Sequence, residues 1–153
     1  MQTNESLIEV LNDLVKINND RITGYEKAID EINDEDIDLK GMFRKMANDS
    51  QEYVKELSEL ILRKGGEVST DTTVPGKIYR AWMDVKAAFS GSDRKTILSS
   101  CEFGEDAAQK AYKEALSSDA EIDAESRQVI MSQKASLKES HDMIKKYRDL
   151  QTA

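Results

Sequence analysis

Four polar residues fall at positions where the surrounding pattern favours apolar side chains. Asn18, Ser50, Glu105 and Gln133 each interrupt a run of apolar residues spaced three and four apart. This spacing places its members on one face of a helix, so the polar groups are expected inside a core. A buried polar group without a partner costs about 1–3 kcal/mol. Together with Tyr53, the four residues predict a core polar layer that is hydrogen-bonded internally, hydrated or built around a ligand.

Long amphipathic helices carry these residues. The spacing predicts four helices, over about 5–33, 37–64, 94–117 and 123–150. In the first helix the stripe is interpreted as Leu7, Leu11, Leu14, Asn18, Ile22, Tyr25, Ile29 and Ile32. Gly65-Gly66 predicts the end of the second helix, because glycine adopts the left-handed conformation without steric cost.

The connections predict how the helices are arranged. The first and third connections are short, which favours antiparallel neighbours. The second, over 65–93, is long and is predicted to contain a short helix at about 78–89, pinned to the bundle by Tyr79, Trp82 and Phe89. Such a crossover permits the third helix to run parallel to the second. We therefore expect one all-α domain over 1–153, a four-helix bundle with a long crossover. A coiled-coil dimer of long hairpins is the alternative.

Composition excludes several classes of protein. The chain has 22 Lys and Arg against 30 Asp and Glu, a net charge of −8, which argues against a nucleic-acid partner. No run approaches the roughly 20 apolar residues of a membrane span, and the first residues lack the pattern of a signal peptide. We therefore expect no membrane partner and a cytoplasmic location. Cys101 is the single cysteine, which excludes an internal disulfide and a cysteine-cluster metal site.

A weak internal repeat relates the two halves of the chain. Asn18 precedes Tyr25 by seven residues, and Glu105 precedes Tyr112 by the same interval. Tyr-Glu-Lys-Ala-Ile in the first half corresponds to Tyr-Lys-Glu-Ala-Leu in the second. The repeat predicts two helical hairpins of one ancestral type.

The repeated hairpins resemble the ferritin-like superfamily in its rubrerythrin-type branch. The segment Cys101-Glu102-Phe103-Gly104-Glu105-Asp106, followed by Tyr112-Lys113-Glu114-Ala115-Leu116, is similar to a bacterial family of ferritin-like four-helix bundles of unknown function. That family has a Gly-Glu-Asp motif in the third helix. The resemblance implies a ferritin-like fold and, by association with the superfamily, a stress-related role.

The resemblance also implies a di-metal centre, but this sequence departs from the ligand pattern. A ferritin-like site takes a Glu from each of two helices and a Glu-x-x-His from each of the other two. Of these positions only Glu105 keeps its ligand type; the others are Asn18, Ser50, Tyr53, Gln133 and Ser136. We therefore expect a degenerate centre with no cofactor and no di-iron ferroxidase activity.

Glu105 is the residue most able to carry chemistry. We expect it to be a buried carboxyl group, protonated or ionised, that is hydrogen-bonded to Asn18, Ser50, Gln133 or a tyrosine hydroxyl. The alternative is a single metal ion held by Glu105 with Glu102, which lies about one helical turn away.

The remaining reactive side chains predict no catalytic residue. His141 is the single histidine and is expected to be half-buried near one end of the bundle, which does not favour a catalytic triad. Cys101 is expected to be inert packing. The predicted function is therefore non-enzymatic. The alternatives are a metal-binding or redox protein that uses the Glu105 layer and a homodimeric protein-interaction module.

Overall fold

The computed structural model of this protein describes residues 2–32, 34–69 and 94–150. Over these residues the chain forms four α-helices, which are α1 (Gln2–Glu31), α2 (Ile37–Arg63), α3 (Arg94–Leu116) and α4 (Ala124–Asp149). The same residues contain no strand, so the all-helical prediction is confirmed for them. The predicted crossover helix at 78–89, with Tyr79, Trp82 and Phe89, lies outside the described residues.

The helix ends follow local chemistry. Nothing in residues 2–4 opposes a helix, because they include neither Gly nor Pro, and α1 begins at Gln2 rather than at Glu5. Gly65 ends α2 in the left-handed region, with φ at 82°, and its N–H donates to the Leu62 carbonyl at 3.1 Å. A Cβ atom on Gly66 would lie 2.8 Å from Cγ2 of Ile8, so glycine permits a close approach between the α2 terminus and α1.

A side-chain cap starts α4. Asp123 is extended, and its Oδ1 accepts a hydrogen bond from the Ser126 backbone N–H at 2.7 Å. Its carboxylate also forms an ion pair with Lys64 at the end of α2. The cap therefore fixes the beginning of α4 against the end of α2.

Contacts between helices give their directions. Within the first hairpin, Ser50 bonds to Asn18 and the ring of Phe43 packs on Tyr25, so α1 and α2 are antiparallel. The third helix contacts α1 through Tyr112 with Asn18 and Glu105 with Tyr25, so α1 and α3 are also antiparallel. Both α2 and α3 oppose α1, and they therefore run parallel to each other.

The core is formed by the facing stripes of the four helices. The contacts are most extensive within the α1–α2 and α3–α4 hairpins and fewer between hairpins. Along α1 and just past its end, one row of buried residues is spaced alternately four and three apart: Leu7, Leu11, Leu14, Asn18, Arg21, Tyr25, Ala28 and Ile32. Val15, Ile17 and Asp20 beside this row are also buried.

Two positions of the predicted α1 stripe are wrong. Ile22 and Ile29 are half-buried, and Arg21 and Ala28 are buried in their place. Residues spaced alternately three and four apart form one row along the helix that faces the neighbouring helices. Arg21 lies in this row, so its cation is buried. On α4 the side chain of His141 is half-buried, while Ser140 takes the core position.

Candidate functional site

A buried arginine lies at the centre of the bundle. Arg21 is 0% exposed, and its Nε donates to Oε1 of Glu105 at 2.9 Å. Its Nη1 donates to the Met46 carbonyl at 3.0 Å and to the Ser50 hydroxyl at 2.7 Å. The guanidinium also lies 5.3 Å from the centre of the Tyr25 ring, a cation–π distance. Arg21 on α1 therefore links α2 and α3 through one side chain.

Glu105 neutralises this cation. Oε1 of Glu105 accepts from Arg21 Nε and from the Tyr25 hydroxyl, and Arg21 Nη2 lies 2.9 Å from the same oxygen. Both side chains of the ion pair are 0% exposed. Since removing water from an isolated charge is costly, each ion requires the other in this core.

The ion pair perturbs the acid–base chemistry of its neighbours. Burial is the largest single influence on the pKa of Arg21 and acts to lower it, but the charge of Glu105, the nearby Tyr25 and the hydrogen bond to Glu105 together outweigh burial, so the pKa stands above its usual value. Burial, and then the nearby Glu105, raise the pKa of Tyr25 well above its usual value. The same two causes raise the pKa of the Cys101 thiol. The centre therefore holds a fixed cation, a neutral phenol and a neutral thiol.

A second branch of hydrogen bonds continues from Ser50 to the surface. Ser50 donates to Oδ1 of Asn18 at 2.9 Å, and Nδ2 of Asn18 donates to the Tyr112 hydroxyl at 2.7 Å. Tyr112 donates to Oε1 of Gln133 at 2.7 Å, and Nε2 of Gln133 donates to Glu56 at 3.1 Å. In this series of hydrogen bonds, each residue donates to the next one farther from Arg21. The network is therefore polarised from a buried cation toward a carboxylate on α2, an order in which hydrogen bonds reinforce one another.

The contacts between α1 and α3 are reciprocal. Tyr25 on α1 meets Glu105 on α3, and Tyr112 on α3 meets Asn18 on α1. The sequence repeat pairs Asn18 with Glu105 and Tyr25 with Tyr112, so each contact joins one member of each pair. This is the arrangement expected if a pseudo-two-fold axis relates two antiparallel helices.

The structure brings the predicted polar layer together. Asn18, Ser50 and Glu105 are 0% exposed and Gln133 is 2% exposed. Tyr53 is also buried and contacts α4, because its hydroxyl bonds to Ser136 and its carbonyl accepts from Gln133 Nε2 at 3.3 Å. The layer joins all four helices through hydrogen bonds.

The predicted partners of Glu105 are only partly right. A tyrosine hydroxyl, that of Tyr25, does contact it. The amides of Asn18 and Gln133 and the hydroxyl of Ser50 are engaged elsewhere in the network. The decisive partner is Arg21, which the sequence interpretation missed. The strict alternation of four and three that starts at Leu7 reaches residue 21, and it is the signal that could have identified this residue.

Glu102 and His141 form a separate cluster on the α3–α4 face. Glu102 forms an ion pair with Arg148, and His141 Nε2 lies 3.9 Å from Glu102 Oε2 and 2.6 Å from Asp106 Oδ1. Glu102 therefore contacts different partners from Glu105. The described side chains do not join the two carboxylates into the single-ion site considered from the sequence.

The donor set does not fit the di-metal centre that the resemblance implies. Two bridged cations require several anionic oxygens and imidazoles, and the layer supplies one carboxylate among neutral amides and hydroxyls. The guanidinium of Arg21 already neutralises the charge of that carboxylate. Over the described residues, no group of three or more His, Cys, Asp or Glu side chains is placed to hold a metal ion.

Comparison with known protein families finds a match that extends from α1 to the end of α3. Residues 6–118 match the family described as "Domain of unknown function (DUF2383)". The chain belongs to this family. The DUF2383 match includes the ion pair, Tyr25 and Tyr112, and ends before α4, which supplies Gln133. No curated protein matches the chain. None of the helices within the described residues is both long and apolar enough to cross a membrane.

Proposed function

We propose that this protein is a non-enzymatic helical bundle of ferritin-like type in which an internal ion pair stands where a di-metal centre would be. One observation carries the proposal. The Arg21 guanidinium lies 2.9 Å from the Glu105 carboxylate, and both side chains are fully buried. A cation that is part of the chain cannot be exchanged, so the bundle keeps its central charge balance without taking up metal.

The helix directions support the ferritin-like part of the proposal. Helices α2 and α3 run parallel, and residues 64–93 connect them. A four-helix bundle with one long crossover between its second and third helices has this connectivity. The reciprocal contacts of Tyr25 and Tyr112 support an origin by duplication of one hairpin.

The electrostatics of the layer support a non-catalytic role. A catalytic acid or base requires a pKa near the working pH, whereas the pKa values of Arg21 and Tyr25 are shifted away from neutrality. Burial also raises the pKa of Cys101, and the thiolate is the reactive form of cysteine. The first finding argues against acid–base catalysis at the layer, and the second argues against the redox alternative.

Metal content tests the proposal. The untagged protein is produced in cells supplied with iron, manganese and zinc, and its bound metal is measured by elemental mass spectrometry. We expect far less than one metal ion per chain. Near-stoichiometric metal that is lost in Glu105→Ala but retained in Glu114→Ala would overturn the proposal. Glu114 is a suitable control because it is exposed on the same helix.

The homodimeric interaction module stays a prediction. Met131 on α4 is 54% exposed and lies beside a shallow cleft lined by Ala124, Arg127, Gln128 and Ser132. Sedimentation at several concentrations tests it. A mass that falls to that of a monomer in Met131→Glu, but not in Met143→Glu, would identify this face as the interface.

A further inference from the structure

The central ion pair uses only one of the two carboxylate oxygens. Oε1 of Glu105 meets Arg21 Nε, Arg21 Nη2 and the Tyr25 hydroxyl. Oε2 is buried and accepts no hydrogen bond from any described residue. A carboxylate has about four lone-pair positions shared between two oxygens. Three donor groups therefore lie near one oxygen, two of them in hydrogen-bonding geometry, while the other oxygen has no donor among the described residues.

The cation has a matching unpaired group. Nη2 of Arg21 is 2.9 Å from Oε1, but among the described residues no acceptor meets it in hydrogen-bonding geometry. Oε2 and Nη2 belong to the two members of one fully buried pair. A buried polar group without a partner is destabilising, and more so when it is charged. The two atoms thus require a donor and an acceptor in the same part of the core.

We propose that the pair binds one internal water molecule, which donates to Oε2 of Glu105 and accepts from Nη2 of Arg21. The charges select this ligand chemistry. The pair has no net charge, so neither a metal cation nor an anion gains from joining it, and the adjacent guanidinium repels a cation directly. A small neutral molecule that both donates and accepts satisfies both atoms, and internal waters in proteins occupy such positions.

The inference rests on the proposed function, because a metal at Glu105 would exclude it. It also adds to that function, since the water becomes a fixed part of the core. The layer would then be fully hydrogen-bonded at its charged centre, and a fully satisfied buried network favours one unique packing of the core.

A high-resolution crystal structure of the full chain tests the inference, together with transfer of magnetisation from water to the Arg21 N–H groups in solution. We expect one density peak within hydrogen-bonding distance of both Oε2 and Nη2, and a matching transfer signal. The peak should persist in Tyr25→Phe, because the hydroxyl that this substitution removes bonds to Oε1 and not to Oε2. It should disappear in Arg21→Lys, which lacks Nη2.

The outcomes separate this inference from the proposed function. A carboxylate that is rotated so that Nε and Nη2 each face one oxygen, with no peak, would overturn the water site but leave the ion pair intact. A peak that persists in Arg21→Lys would also overturn it. An anomalous signal from a metal at Glu105 would overturn both the water site and the proposed function.

Discussion

Arg21 on α1 donates through Nε to Oε1 of Glu105 on α3 at 2.9 Å, and both side chains are 0% exposed. This contact crosses between the two hairpins, where backbone contacts are fewest. It places a permanent cation and its counter-charge in the middle of the buried polar layer.

Replacing Glu105 by Gln should destabilise the protein strongly. The substitution keeps the shape but leaves the Arg21 cation buried without a counter-charge, a change that costs about 3–5 kcal/mol. Chemical denaturation measures the change in the free energy of unfolding. Glu114→Gln is the matched control on the exposed face of the same helix, and it should change stability by less than about 0.5 kcal/mol. A Glu105→Gln variant as stable as the control would mean that the carboxyl group is already neutral.

Replacing Tyr25 by Phe should destabilise the protein moderately. The ring and its packing against Phe43 are kept, but the hydroxyl bond to Glu105 is lost. A hydrogen bond to a charged group contributes about 1.5–3 kcal/mol. Tyr53→Phe removes a bond between two neutral hydroxyls and should cost only about 0.5–1.5 kcal/mol. Equal losses in denaturation of the two variants would contradict the charged character of the centre.

Alkaline pH should destabilise the fold through its buried tyrosines. Burial raises the pKa values of Tyr25 and Tyr112 above the ordinary value of 10.0. Above about pH 10 the unfolded chain loses these protons while the native state keeps them, so stability falls as the pH rises. Tyrosinate absorbance measured alongside circular dichroism should show that Tyr25 and Tyr112 ionise only when the helices unfold. Ionisation of all five tyrosines before any loss of helix would contradict this prediction.

The cap of α4 should give acid sensitivity. The hydrogen bond from Lys64 and the Ser126 backbone N–H lower the pKa of Asp123 from 3.8 to about 2. Its contribution is therefore present above about pH 4 and is lost as the pH falls toward 2. Asp123→Ala should cost about 1 kcal/mol at neutral pH. Asp123→Asn retains a capping oxygen and should cost less, while removing the part of the acid dependence of thermal stability that comes from Asp123. Equal acid dependence in the wild type and Asp123→Asn would contradict the assignment.

The sequence allowed the helices and most of the polar layer to be predicted, for a simple reason. Apolar residues spaced three and four apart over a long segment identify a helix whatever residues separate them. A polar residue at one of these positions is therefore easy to recognise. Asn18, Ser50 and Gln133 were found in this way. The boundary of α2 followed from Gly65, whose positive φ is a backbone property that local sequence signals well.

Arg21 could not be found by the same reasoning. A charged residue beside Ile22 on an amphipathic helix is usually assigned to the solvated face. Because Ile22 is apolar, it is assigned to the buried row in place of Arg21, its neighbour in the sequence. Only the partner on another helix explains why an arginine is buried there. Glu105 was identified as buried, but its ion pair with Arg21 depends on the packing of α3 against α1, and no local pattern encodes that packing.

The most direct test of the central claim is a double-mutant cycle on Arg21 and Glu105. The free energies of unfolding are measured for the wild type, Arg21→Met, Glu105→Gln and the double variant. The ion pair predicts that the double variant loses less stability than the sum of the single losses, by about 1–3 kcal/mol. The same cycle on the exposed pair Arg63 and Glu125 should give a coupling below about 1 kcal/mol. Losses for Arg21 and Glu105 that add within about 0.5 kcal/mol would contradict the account, because they would mean that the two residues act independently.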